Sequence, residues 1–261
     1  MLHIKSVALA ITEAMAYGWR LIPNSLRRLM IVGLVLVESR DSNPANSLRR
    51  LLALRDRIDW IINERVMTYN KGEHPKHRLT GYHDFFIKRI KNGQNVLDVG
   101  CGYGAVARSI ALAYPRCQVT GLDLDKPRLA QARASNNNPK NLNFIEADAT
   151  KAIHLDACDV VILSNVLEHI IERVHFLRKL QSSFQCQHYL IRVPLFERDW
   201  QMALRRELGV DYRSDEDHKI EYTLSEFRAE IAEAGLRLIE VQTMWGEIWA
   251  DCMAISHIAC R

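Results

Sequence analysis

The chain has 261 residues, 48% hydrophobic and 25% charged, enough apolar material for a full core and too much for a disordered or collagen-like polypeptide. The formal charge of +4 conceals a division: residues 1–92 hold 16 Lys and Arg against 8 Asp and Glu, while the remainder holds 19 against 23. Six cysteines, Cys101, Cys117, Cys158, Cys186, Cys252 and Cys260, show no CxxC pair or other metal-ligand spacing, which excludes a zinc ribbon and fits reduced thiols in a cytoplasmic chain.

At the N-terminus a lysine, a short apolar stretch and Ala14-Met15-Ala16 imitate a secretion signal. Glu13 interrupts the apolar stretch, and Val7 to Ile11 is too short for an h-region, so export is not expected. The next apolar run, Leu29 to Val37, has nine residues, well short of the roughly 18 that a bilayer span requires. It reads as a buried helix or strand, or as a segment resting on a membrane surface. "NSLRRLM" at Asn24 is echoed by "NSLRRLL" at Asn46, and each Asn-Ser pair is expected to cap a helix. Residues 1–75 thus form an N-terminal helical extension of two or three helices. Its basic balance suits lipid headgroups, a phosphorylated carrier or nucleic acid, and equally a solvated helical face.

Breaker-rich "YNKGEHPKH" joins the extension to "GYHDFFIKRI", which restarts a helix. From Asn95 short apolar runs alternate with helical stretches. The strand candidates are "NVLDVG", "CQVTGLDLD", "NLNFIEAD", "CDVVILSN", "HYLIRVPL", "LRLIEVQTMW" and "WADCMAISHIA". Helical or partly helical segments, including "TKAIHLDA", separate the first five. Alternation of this kind implies right-handed parallel crossovers and a sheet covered on both faces, with ligands at the carboxyl ends of the strands. The last two candidates have only "GEI" between them, so they form an antiparallel hairpin. Thr223 to Glu226 is a capping box, and Gly235 ends the helix that it opens. The fold expected is α/β: a Rossmann-like, doubly wound, seven-stranded sheet with a terminal antiparallel hairpin, plus the helical extension.

"VLDVGCGYG", Val96 to Gly104, puts three glycines after the first strand and Asp98 before them. In a dinucleotide enzyme such a turn faces pyrophosphate, which Asp98 would repel. A spaced third glycine of GxGxxG is also missing, since Ala105 and Val106 follow Gly104. The series "VLDVGCGYG", "VTGLDLD", "FIEADA" and "DVVILSNVLEH" resembles the motifs of class I S-adenosylmethionine-dependent methyltransferases, over about Arg78 to Cys260. The resemblance implies a methyltransferase domain over 76–261 and S-adenosylmethionine as cofactor. That ligand carries a sulfonium and an ammonium but no phosphate, so Asp98 becomes an asset, while Gly100, Cys101 and Gly102 bring main chain close to it. By the same resemblance Asp123 accepts the ribose hydroxyls and Leu124 lies along the adenine. Asp148 accepts the adenine amino group, Ala149 offers its amide to the ring, and Asn165 touches the cofactor. Asp125 caps the next helix, and Arg78 is the candidate for the cofactor carboxylate.

Methyl transfer needs an aligned acceptor and, for a hydroxyl, a base. The resemblance places Glu168 and His169 toward the acceptor, and His218, in "DEDHKIEYT", is a second candidate base. Related enzymes with a metal centre carry a glutamate where this chain has Asn165, so no metal is expected, although Glu168, Glu172 and His175 lie near one helical face. The function expected is methylation of an oxygen on a small-molecule, sugar or lipid-linked acceptor. The alternatives are an RNA methyltransferase, disfavoured because no RNA module or stacking groove is recognisable, and an inactive cofactor-binding module. The basic N-terminal segment also allows peripheral membrane contact.

Overall fold

A computed structural model describes residues 12, 15–70, 74–151 and 155–255. The chain divides into two compact units, Met1–Lys71 with Glu207–Val210, and the remainder.

The first unit is built on two helices, α1 (Asn24–Glu38) and α2 (Pro44–Tyr69), with residues 15–21 helical before them. Neither starts where the Asn-Ser pairs suggest. α1 follows Pro23 with no side-chain cap, and Asn24 instead accepts a hydrogen bond from Arg27. α2 is capped by Asn43, whose side chain accepts from the Ala45 amide at 3.0 Å, and Pro44 occupies the first turn, where its missing N–H costs nothing. Asn46 and Ser47 therefore fall inside the helix. Arg50 ties the hairpin, 2.5 Å from Glu38 and 2.8 Å from Asp41. No residue of α1 is buried, so the apolar run Leu29 to Val37 forms a helix with no core to enter.

The second unit begins with two short helices, α3 (Lys76–Thr80) and α4 (Asp84–Ile87). One longer helix was expected here, but Gly81 takes a left-handed φ of 60° and ends the first. Then follow β1 (Asn95–Val99), α5 (Ala105–Ala113), β2 (Gln118–Asp123), α6 (Lys126–Ala134), β3 (Leu142–Glu146), β4 (Val160–Ser164), α7 (Arg173–Phe184), β5 (His188–Pro194), α8 (Gln201–Leu208), α9 (Leu224–Glu233), β6 (Leu236–Met244) and β7 (Glu247–Ala254). The sheet order is β3-β2-β1-β4-β5-β7-β6, parallel through β5 and antiparallel in the closing hairpin.

Both faces of the sheet are covered at its centre, which is why β4 and β5 read as nearly unbroken apolar runs while β3 and β6 at the edges do not. Leu97, Val161, Leu163 and Ile191 pack on one side with Phe176 and Leu180 of α7 and Phe227 of α9. Val96, Ile162, Leu190 and Trp249 pack on the other with Phe86 of α4 and Ile110 of α5. Asp125 caps α6 by accepting the Arg128 amide at 2.9 Å, and Thr223 and Glu226 form both bonds of the capping box on α9.

One expectation about the strands is corrected. β7 starts at Glu247, so Glu247 and Ile248 pair within the sheet and the turn is only Trp245-Gly246, both at positive φ (57° and 77°). This is the two-residue geometry whose twist suits a hairpin. Of "WADCMAISHIA", residues 256–259 lie outside the described residues. Between β3 and β4 no helix occurs among the described residues; of "TKAIHLDA", expected to be partly helical, residues 152–154 lie outside them. Five cysteines are free, and Cys260 lies outside the described residues.

Candidate active site

Strand register sets the rim of the sheet. Val99 pairs with Leu122 on one side and Leu163 on the other, and Ser164 pairs with Arg192. Gly100, Asp123, Asn165 and Arg192 thereby arrive together at the carboxyl edge. The loop after β1 is tied to β2: the Gly100 and Cys101 amides both donate to the Leu122 carbonyl, at 2.7 and 3.0 Å. Asp123 takes the Gly102 amide on Oδ2 at 2.7 Å and the Asp125 amide on Oδ1 at 2.8 Å. Each oxygen retains a lone pair, so the carboxylate is fixed in place with acceptor capacity for a diol. Gly102 has φ 54°, and a Cβ there would meet nothing within 4 Å, so bare backbone borders open space. Gly104, at φ 71°, is bare for a different reason: a Cβ would collide with the Phe144 ring. Cys101 is half-buried, and desolvation raises its thiol pKa, so it is no nucleophile.

Asp98 points to the α5 side and is 2% exposed, with Oδ2 accepting the Ala107 amide at 3.1 Å. Burial pushes its pKa up to about 7; the Ala107 hydrogen bond opposes the shift and the negative charge of Asp123 adds to it. Such a carboxyl is held in readiness for a cation. Leu124 stands 69% exposed beside Asp123. Asp148 closes a turn, accepting the Thr150 hydroxyl at 2.6 Å and amide at 3.0 Å with Lys151 3.2 Å away. These bonds, the hydroxyl first and burial opposing them, lower its pKa. Ala149 beside it packs against the core. Arg78 is exposed on α3.

The side expected to face the acceptor is assembled from two distant stretches. After β4, Asn165 adopts φ 58°, a conformation Asn tolerates better than most residues, and its buried Oδ1 has no partner. A short 3-10 turn, Leu167–His169, follows. Within it Glu168 is 0% exposed with both carboxylate oxygens unpartnered, and desolvation pushes its pKa up to about 7. The Lys219 amide donates to the Glu168 carbonyl at 2.7 Å, binding the segment around His218 to this turn. The rings of His169 and His218 consequently meet edge to face with centroids 4.7 Å apart. The two candidate bases, read separately from the sequence, belong to one cluster.

Of the three acids before His218, Asp217 turns to His169, 3.3 Å from its Nδ1. The partner of His218 lies downstream: Nδ1 is 2.8 Å from Oε1 of Glu221. Glu221 also accepts the Ser214 amide at 2.6 Å and hydroxyl at 2.9 Å and pairs with Arg198. Burial works against a proton on His218, but the hydrogen bond to Glu221 and the charges of Glu168 and Glu221 outweigh it, so its pKa is raised. The pKa of His169 is lowered, by desolvation and then by the charge of His218. Ligating atoms of Glu168, His169 and His218 all lie within 4.8 Å of one another, a donor set able to hold a divalent cation. Glu172 and His175 do not join it. A third ligand arriving from a loop some fifty residues away is invisible to local spacing.

Sequence reading missed Glu221 and Arg192. The signal for the first was the His218-x-x-Glu221 spacing inside a polar loop. For the second it was a lone arginine inside the apolar run of β5. Arg192 is buried, lies 3.7 Å from the Tyr82 ring centroid and places Nε 3.4 Å from Glu247. The two halves of the rim touch at Val166, whose Cγ2 would be 2.7 Å from a Cβ on Gly100.

Residues 96–185 match the family described as "Methyltransferase domain". Among similar curated proteins, (S)-tetrahydroprotoberberine N-methyltransferase of Eschscholzia californica is 34% identical over 104 residues, 38% of this chain and 30% of that protein. Ubiquinone biosynthesis O-methyltransferase of Albidiferax ferrireducens is 42% identical over 82 residues, 30% of this chain and 32% of that protein. The matches thus span about a third of these relatives. Among solved structures, small RNA methyltransferase HEN1 has a TM-score of 0.54 at 21% identity, covering 67% of this chain and 25% of that one. Mitomycin 7-O-methyltransferase MmcR has a TM-score of 0.56 at 17% identity, covering 71% and 56%. At such identities these two structures establish the fold.

Proposed function

We propose that this chain, which belongs to the class I S-adenosylmethionine-dependent methyltransferases, transfers a methyl group from that cofactor to an oxygen of a small-molecule acceptor, including a sugar-bearing or lipid-linked one. The observation that carries the reading is the junction at Val166, where the open glycine loop meets the turn bearing Glu168 and His169. A cation-accepting cradle and a cluster of bases are thereby neighbours.

The residues present fit the cofactor. Asp98 is a buried carboxyl with a raised pKa, suited to the ammonium or sulfonium, directly or through water. The fixed carboxylate of Asp123 suits a vicinal diol, Leu124 offers an apolar floor to the adenine, and the open space over Gly102 admits the chain between them. Asp148 and Ala149 take the adenine edge, Gly100 and Cys101 line the tail, Asn165 touches the cofactor, and Arg78 takes its carboxylate. When bound, the cofactor supplies a methyl carbon already activated by a sulfonium. The chain's own part is to align the acceptor and remove its proton.

His218 is the residue best built for the proton. With Nδ1 engaged by Glu221, Nε2 remains to accept it, and His169 and Glu168 border the same space. An amine acceptor is the second reading, favoured by the similarity to alkaloid N-methyltransferases; the same base would deprotonate an ammonium before transfer.

The test is calorimetry with S-adenosylmethionine, followed by mass spectrometry of cell extract incubated with isotopically labelled methyl donor. Binding together with a labelled product supports the enzyme. Binding without any labelled product supports a cofactor-binding module, and binding of a nicotinamide dinucleotide instead would overturn the reading.

A further inference from the structure

α1 presents apolar side chains to solvent around its whole circumference. Leu29, Met30, Ile31, Val32, Leu34, Leu36 and Val37 are all exposed, Leu34 by 72% and Val37 by 73%. At about 100° per residue their directions leave no empty arc much wider than about 100°. A groove on another protein covers one stripe of a helix, whereas hydrocarbon covers every side at once. Exposure of this kind matches a lipid environment better than a protein docking face.

Length and charge say how the helix would sit. Nine residues at about 1.5 Å each give an apolar rod of about 13 Å, less than half of a hydrocarbon core about 30 Å thick. No helix among the described residues is long and apolar enough to cross a membrane, so the rod enters one leaflet. Arg27 and Arg28 precede the run and Arg40 follows it. α2 adds Arg49, Arg50, Arg55, Arg57 and Arg65 against Asp56, Asp59 and Glu64, an excess of two positive charges, with exposed Ile58, Trp60, Ile61, Ile62 and Met67 interspersed. Basic groups flanking an apolar insert complement anionic headgroups, while long arginine stems reach back to the interface and tryptophan favours that level.

We infer that the α1–α2 hairpin is a monotopic membrane anchor, with the Leu29 to Val37 turns of α1 inserted into one leaflet of an anionic bilayer. The test is co-sedimentation of the full chain with vesicles of phosphatidylcholine alone and of equal parts phosphatidylcholine and phosphatidylglycerol. The wild type is expected to partition into both, and more strongly into the anionic vesicles at low salt. Leu29→Asp with Leu34→Asp lowers the partition coefficient by about a hundredfold or more, because each places a charge in hydrocarbon. Arg27→Gln with Arg28→Gln lowers it about tenfold or more on the anionic vesicles only, with the difference shrinking in high salt. Both positions of the leucine pair are exposed, and an unchanged Tm would show that the variant still folds. The inference is overturned if the wild type stays in the supernatant with both vesicles, or if the leucine variant binds as well as the wild type. It is overturned equally if the wild type forms a lipid-free dimer that the leucine variant converts to monomer, which would make α1 an interface between two copies.

Discussion

Two carboxyls buried without a salt-bridge partner, Asp98 and Glu168, give the molecule a definite pH signature. Desolvation pushes both up to about 7 from ordinary values of 3.8 and 4.5. A raised folded pKa means the folded state favours the neutral acid, so its contribution to stability is full below the unfolded pKa and is lost as pH rises through about 7. The Tm of the ligand-free protein should therefore fall across that window, and Asp98→Asn should flatten the fall, as scanning calorimetry in a pH series would reveal. A bound cation reverses the preference at Asp98. Affinity for S-adenosylmethionine is accordingly expected to strengthen as pH rises through about 7 in the wild type and to lose that dependence in Asp98→Asn, read by titration calorimetry. At His218 function likewise gains as pH rises. Glu221 helps to raise its pKa, and a base works in its deprotonated form, so turnover climbs with pH on the acid limb. Glu221→Gln keeps an acceptor near Nδ1 but removes the charge, so that limb should move to lower pH with kcat reduced. An acid limb that stays in place would show that His218 is not the titrating base.

Local chemistry decides which elements were legible before the structure. Strands β4 and β5 were plain because burial on both faces leaves little room for polar interruption, as Val160 to Leu163 illustrates. The capping box was equally plain, since Thr223 and Glu226 act on each other within one turn of helix. Thr223→Ala removes a side-chain acceptor from the first turn of α9 and is expected to cost about 1 kcal/mol in a urea melt without a change in m-value. The caps of α1 and α2 were misread because Asn-Ser pairs suit a cap and an early helical turn alike, and Pro44 with Asn43 outcompetes the pair two residues on. The placement of Asp98, Asp123 and Asp148 at or near the ends of three successive strands could be read in order because β1 to β3 follow one another along the chain. The pairing of His218 with Glu221 and its meeting with His169 could not. Those contacts depend on the segment before α9 folding back onto the Glu168 carbonyl, a closure between residues 168 and 219 that carries no local signature.

At the scale of the whole sheet, the order β3-β2-β1-β4-β5-β7-β6 reverses direction between β1 and β4, and in open sheets of this kind ligands bind outside the carboxyl ends of the strands at such a switch point. Strands on one side bring Asp98 and Asp123; β4 and the segment before α9 bring Glu168, His169 and His218. The division predicts separable defects. Asp123→Ala removes two backbone anchors of the loop along with the acceptor for a diol, so affinity for S-adenosylmethionine should weaken about tenfold or more. His218→Ala should leave that affinity nearly intact and lower kcat about a hundredfold or more, because it touches only the proton. Adding a chelator to the wild type distinguishes the two capacities of the Glu168, His169 and His218 cluster. If His218 serves as the base, the rate with a chelator equals the rate without it. A rate abolished by chelation and restored by a divalent cation would instead assign all three side chains to holding a metal and would remove His218 as the base.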